Sequence, residues 1–250
     1  YAENATCREA YGDEADTFCY QSREGAPDIM LIGDSMANHL TPGILSQPEF
    51  ADASVLSIGR CRPVAWTSVE SEQCDLQDRV LAANEQVEIV IVGGAWPEIE
   101  AQGRYDFSPL IEGVEDPTGE RFRQDLLARL QSFAKPGRRI VVVGPKPETG
   151  YHVKQCFGRP MVDPSETCRI SAAEIERGGA QRLMAMLEDV VARVPGAILV
   201  DPSAPFCDAN GCDYLNDDGL PYLRDTGHFS TLGSDRVGRL IAEKLVAQDR

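Results

Sequence analysis

Two short blocks of this chain hold residue types that could do acyl chemistry together. Near the start, the apolar run Ile29, Met30, Leu31 and Ile32 stops at Gly33-Asp34-Ser35. Residues 36–45 then read as a short helix, so Ser35 falls where a strand turns into a helix. A serine at such a junction presents its hydroxyl at the exposed sheet edge. Its backbone N–H sits at a helix N-terminus, where partial positive charge can stabilise an oxyanion. An ordinary N-cap would look the same, and Gly-Asp-Ser by itself does not separate the two. The second block is Asp225-Thr226-Gly227-His228-Phe229-Ser230-Thr231-Leu232-Gly233, just before the last helical pattern. A carboxylate three residues before a histidine can curl back to its ring in a tight turn. Asp225 would then fix the imidazole tautomer while the other ring nitrogen of His228 takes a proton from Ser35. That is nucleophilic acyl transfer, which requires neither a metal nor a cofactor.

The intervening chain must bring these blocks together. Five β-branched runs, at 28–32, 53–58, 87–92, 139–143 and 197–200, resemble buried strands. Apolar residues recur at spacings of three and four over 120–133, 171–194 and 232–248, which predicts helices. Alternating strands and helices imply an α/β, three-layer sandwich around a five-stranded, mainly parallel sheet, because parallel neighbours need long crossovers. Residues 61–79, 145–167 and 202–227 read as loops and hold or border three of the four cysteine pairs. In such sheets function gathers at the carboxyl edge of the strands, where strand order reverses. Residues 1–26, polar, acidic and ending in Gly25-Ala26-Pro27, read as a stapled lead-in, and 27–250 as the domain proper.

The eight cysteines form four near-neighbour pairs: Cys7 with Cys19, Cys61 with Cys74, Cys156 with Cys168, and Cys207 with Cys212. This pattern predicts disulfide-stapled loops and hence an oxidising, extracytoplasmic compartment. Zinc is disfavoured, because no CxxC knuckle occurs and His39, His152 and His228 are not spaced to complete a site. Twenty-four basic against forty acidic residues give a net charge of −16. That charge repels phosphate backbones and argues against nucleic-acid binding. The uncharged apolar stretches fall far short of the roughly 20 residues needed to span a bilayer. Starting at Tyr1 without Met or leader, the sequence reads as a processed product or an excised piece.

A GDS block that opens a domain and a DxxH block that closes it resemble the SGNH hydrolase superfamily, over about residues 27–248. The resemblance implies a flavodoxin-like fold and a triad of Ser35, His228 and Asp225. It also implies an oxyanion hole formed by the Ser35 N–H, a second-block glycine, here Gly59, and a third-block asparagine. Where that asparagine is expected, the chain reads Val92-Gly93-Gly94-Ala95-Trp96-Pro97. Backbone N–H groups of Gly94 or Ala95 are the candidate replacements. Trp96 is either a core or rim aromatic, or a source of an indole N–H and a sugar-stacking face. Asn38 and His39, three and four residues beyond Ser35, are candidate substrate contacts, although structural roles fit them as well.

A Trp-containing third block lacking the asparagine, together with paired cysteines, looks like the extracytoplasmic SGNH domains fused to acyltransferase type 3 membrane proteins. Gly33-Asp34-Ser35-Met36-Ala37-Asn38-His39-Leu40 is similar to their first block, with Met36 where histidine is often found. The implied function is serine-dependent O-acetyl transfer onto sugar hydroxyls of a surface polysaccharide. The implied partner is an acetyl-delivering membrane domain of the same polypeptide, and the implied location is the periplasm, tethered to the inner membrane. A carbohydrate acetylesterase with the same triad and a catalytically silent glycan-binding domain are the rival readings.

Overall fold

A computed structural model describes residues 5–12, 18–65, 68–100, 102–108, 113–149, 152–156 and 169–248. The Cys156 and Cys168 pairing lies outside the described residues. Helix α1 (Ala5–Tyr11) and strand β1 (Cys19–Gln21) come first. They are followed by β2 (Ile29–Gly33), α2 (Ser35–Asn38), α3 (Thr41–Leu45), β3 (Val55–Ile58), α4 (Ser68–Ala83) and β4 (Ile89–Gly93). After these come α5 (Glu120–Phe133), β5 (Arg139–Val143), α6 (Ala172–Arg177), α7 (Ala180–Val191), β6 (Ala197–Val200) and α8 (Thr231–Gln248).

The central sheet runs β1-β3-β2-β4-β5-β6. Strands β2 to β6 are mutually parallel, and β1 pairs antiparallel with β3. The sheet therefore has six strands rather than five, because Cys19–Gln21 from the lead-in closes the β3 edge. Every residue of β2, β3 and β4 is buried, which is why these strands read as continuous apolar runs. Alternate residues serve opposite faces. Met30 and Ile32 pack with Leu126, Leu130, Leu183 and Leu187 of α5 and α7, whereas Ile29 and Leu31 pack with Ile44 of α3 and Val237 and Ile241 of α8. This is the three-layer arrangement.

Two sequence readings change. Residues 68–83, which begin inside the stretch 61–79 that reads as a loop, are helix α4, with Leu76, Gln77, Val80 and Leu81 buried at helical spacing. The cysteine and the polar Gln77 interrupt the apolar stripe that would have announced it. The pattern over 171–194 breaks into α6 and α7 at Gly178-Gly179, with Gly179 in the left-handed region at φ +71. Disulfides join Cys7 to Cys19, Cys61 to Cys74 and Cys207 to Cys212. No described helix is long and apolar enough to cross a membrane.

The two ends of the chain meet where α3 crosses α8. The Gly43 N–H donates to Ser234 Oγ at 2.8 Å, and Gln47 Nε2 donates to the Gly43 carbonyl at 2.8 Å. A Cβ on Gly43 would lie 1.8 Å from the Ser234 carbonyl oxygen, and one on Gly238 would lie 2.1 Å from that of Gly43. Backbone touches backbone, so no side chain fits. Gly43→Ala is expected to destabilise the fold by about 3 kcal/mol or more in urea denaturation. Gly178→Ala is the control, at φ −69 with nothing nearer than 3.5 Å; it should be neutral or stabilising by under about 1 kcal/mol.

Candidate active site

Taken by themselves, the five parallel strands have the order second-first-third-fourth-fifth, so the chain leaves β2 toward β3 on one side and toward β4 on the other. The carboxyl ends of β2 and β4 flank that switch point, where crevices form in open α/β sheets. Gly33 and Gly93 pair there, and a Cβ on Gly33 would fall 1.8 Å from the Gly93 carbonyl oxygen. Ser35 is the first residue of α2, capped by Asp34, whose Oδ1 accepts from the Met36 N–H at 2.8 Å. The other oxygen of Asp34 accepts from the Ala95 N–H at 3.0 Å. One carboxylate thus starts the helix and ties it to the segment beyond β4. Burial raises the Asp34 pKa, against the lowering by those two N–H groups and by Arg62 and His228.

His228 Nε2 lies 2.9 Å from Ser35 Oγ, a contact 193 residues apart in sequence. Its Nδ1 lies 2.9 and 3.0 Å from the two oxygens of Asp225. The tight turn between them is closed by the N–H groups of Gly227 and His228, which donate to Asp225 Oδ1 at 2.9 and 2.7 Å. Burial pushes the Asp225 pKa upward, but those N–H groups and the imidazole outweigh it and hold the carboxyl down at about 2. An ionised carboxylate on one ring nitrogen requires the proton there, which leaves Nε2 as the acceptor facing Ser35.

Several expected contacts are otherwise engaged. The Gly59 N–H donates to the Phe18 carbonyl at 2.7 Å, so it is not an oxyanion donor. Ala95 is removed for the same reason, its N–H being held by Asp34. Trp96 Nε1 donates to the Val143 carbonyl at 3.1 Å, which leaves only the ring to face a ligand. Asn38 is buried, with its Oδ1 accepting from Ser57 Oγ, so it braces α2 on β3 rather than meeting substrate. Gly94 remains. Its N–H and that of Ser35 meet no acceptor among the described residues. A Cβ at 94 would lie 2.3 Å from Pro63 Cδ, so the stapled loop leaves no room for any side chain there, asparagine included.

His39 is 3% exposed and accepts the Phe229 N–H on Nδ1 at 3.2 Å, which places its proton on Nε2. Its ring meets those of His228 and Phe229 edge-on, with centroids 5.6 and 5.0 Å away. Burial, followed by the cationic forms of His228, Lys146 and Arg224, holds its pKa well below the usual value, so it stays neutral. It lines a cavity of about 490 Å³ shared by Met36, Gly94, Trp96, Lys146 and Phe229. The cavity adjoins Ser35 and His228 through their chain neighbours Met36 and Phe229.

Three residues of consequence gave little sequence signal. Gln77 is fully buried and its Nε2 donates to the Gly33 and Ile58 carbonyls at 2.8 Å each, pinning the ends of β2 and β3. Arg129 holds the Cys61–Cys74 loop by donating to the Arg62 and Pro63 carbonyls at 3.0 and 3.1 Å. Lys146, between two prolines just past β5, is 8% exposed, and its Nζ has no hydrogen-bond partner among the described residues. The only hint for Lys146 was its place at a strand's carboxyl end.

A model of the SGNH domain fused to AT3 domains matches residues 6–243. The chain belongs to this family. No curated protein matches it in sequence. Among solved structures, the periplasmic domain of a lipopolysaccharide acetyltransferase from Salmonella ser. Paratyphi A superposes with a TM-score of 0.65 at 18% identity. The match covers 90% of this chain and 85% of that one. At that identity the likeness speaks for a common fold.

Burial lowers the Lys146 pKa to about 8, although Glu148 and Asp225 pull it upward. An unfolded lysine titrates near 10.4. The unfolded chain therefore binds the extra proton between these values, and stability rises with pH across that window. Lys146→Met is expected to stabilise the protein at pH 7 by on the order of 3 kcal/mol, an advantage that fades from pH 8 toward 10.5. Chemical denaturation across that range checks both sign and window.

Proposed function

We propose that this chain is the acyl-transferring domain of a polysaccharide O-acetyltransferase, with Ser35 as nucleophile, His228 as base and then acid, and Asp225 as the group that orients it. The observation that carries the reading is the hydrogen-bonded line from Asp225 through His228 to Ser35 Oγ, with 2.9 Å at its last step. In the first half-reaction, His228 Nε2 takes the Ser35 proton as Oγ attacks the acetyl carbonyl. The developing oxyanion faces the N–H groups of Ser35 and Gly94. Collapse expels the donor's oxygen or sulfur, which leaves with the proton from His228. In the second half, His228 takes the proton of a sugar hydroxyl, whose oxygen attacks the acetyl-Ser35 carbonyl. Ser35 leaves and recovers its proton.

Membership of a family described as fused to AT3 domains supports an acetyl-delivering membrane domain on the same polypeptide, with residues 1–26 as the extension toward it. Three disulfides and the periplasmic relative support an extracytoplasmic, membrane-tethered location. A cavity of about 490 Å³ beside the reactive pair is large enough for a sugar unit, which favours a glycan acceptor.

Mixing the protein with 4-nitrophenyl acetate should add one acetyl group, mapped by mass spectrometry to Ser35 and absent in Ser35→Ala. Asp225→Asn should slow acylation by on the order of 10³- to 10⁴-fold through the wrong imidazole tautomer. Equal labelling of Ser35→Ala would remove the nucleophile. Free acetate as the sole product, with candidate polysaccharide supplied, would make the protein an esterase.

A further inference from the structure

Lys146 is buried up to its charged tip with no hydrogen-bond partner for Nζ among the described residues. An ammonium taken out of water without an acceptor is costly, and ordinary packing would place an apolar side chain there. Its stem is not merely snorkelling, since Nζ itself is buried and stands 5.8 and 5.9 Å from the ring centroids of Tyr214 and Phe229. Those faces favour a cation but give it no oxygen to bond. The unfilled valence of this site is therefore an oxygen acceptor, and the neighbouring empty volume is the cavity that Lys146 lines with His39 and Trp96.

The surroundings restrict the ligand's charge. Glu98, Glu148 and Glu174 also line the cavity, and all three are exposed at its rim. One inner ammonium neutralises one negative charge, whereas a ligand with two would leave excess charge facing three carboxylates. His39 adds a neutral donor, because the Phe229 N–H occupies Nδ1 and leaves Nε2 protonated. We propose that the cavity is an acceptor subsite in which Lys146 binds a monoanionic oxygen group on the glycan unit being acylated, such as a sugar carboxylate or a phosphodiester. Naming the ligand as the acceptor rests on the transfer reading; the selection for a single negative charge does not. Trp96 lines the same cavity, where its ring can stack on the apolar face of a sugar.

The test is calorimetric titration of Ser35→Ala protein, which holds acceptors without reaction, with three tetrasaccharides: one of hexuronic acid, one of the matching neutral hexose and one of hexoses joined by phosphodiesters. At least tenfold tighter binding of a charged oligosaccharide than of the neutral one is expected, and which charged arm prevails identifies the group. Lys146→Met in the Ser35→Ala background should reduce that preference to less than about twofold; denaturation curves establish that it is folded. Equal affinity for all three sugars overturns the subsite, as does a preference that survives Lys146→Met. Failure of Ser35 to take up acetyl in the wild-type protein, with the charge preference intact, would instead remove the transfer reading and leave an anion-selective glycan site.

Discussion

The close crossing of α3 over α8 is the constraint on which the rest of this molecule depends. Gly43, Ser234 and Gly238 bring two backbones into direct contact, and the Ser234 hydroxyl bonds the Gly43 N–H across 191 residues of sequence. Helix α3 begins shortly after Ser35, and α8 begins shortly after His228. Locking these helices together therefore sets how near the early hydroxyl comes to the late imidazole. Hydrogen bonds from Ser46 Oγ and Gln47 Nε2 to Asp235 add directional restraints at the same crossing. Reactive geometry needs placement to within a fraction of an ångström, and a rigid backbone contact achieves that better than long side chains.

On the other side of the switch point, the restraints run through polar groups rather than close packing. Gln77 reaches from α4 to the Gly33 carbonyl, Asp34 reaches from α2 to Ala95, and Arg129 reaches from α5 to the loop that carries Pro63. Pro63 in turn occupies the space over Gly94. Of the N–H groups around the site, Asp34 holds those of Met36 and Ala95 and the Phe18 carbonyl holds that of Gly59, whereas those of Ser35 and Gly94 meet no acceptor among the described residues. The missing third-block asparagine then has a physical cause: the stapled loop fills the room a side chain would need at Gly94.

The site combines an anchored anion with an unanchored cation. Asp225 has its charge satisfied by two backbone N–H groups and an imidazole, which stabilises its ionised form. Lys146 is buried with no acceptor for Nζ among the described residues, and that burial destabilises its charged form. The first arrangement stabilises the fold and keeps the histidine oriented. The second costs stability and is consistent with a group kept for binding, since strain of this kind persists where function requires it.

Local pattern was sufficient for much of this. Strand runs buried on both faces, amphipathic helices, near-neighbour cysteines and the Asp225 to His228 turn are all short-range, so their physics is written within a few consecutive residues. Helix α4 is not legible in the sequence because its buried stripe contains Gln77, whose polarity makes sense only beside the distant Gly33 and Ile58 carbonyls. Which N–H groups are already bonded was equally hidden: Gly59 matched the family pattern, yet its donor meets Phe18 only once the lead-in strand has paired with β3. Lys146 reads as an ordinary surface residue in the sequence, and it becomes a buried charge with no hydrogen-bond partner among the described residues only when Tyr214 and Phe229 close over it. The sequence alone determined most of the strands and helices and the residue types of the Asp225 to His228 turn, because those depend on near neighbours. Only the tertiary structure decided which donors and charges remain free to meet a ligand, because that depends on partners brought from far along the chain.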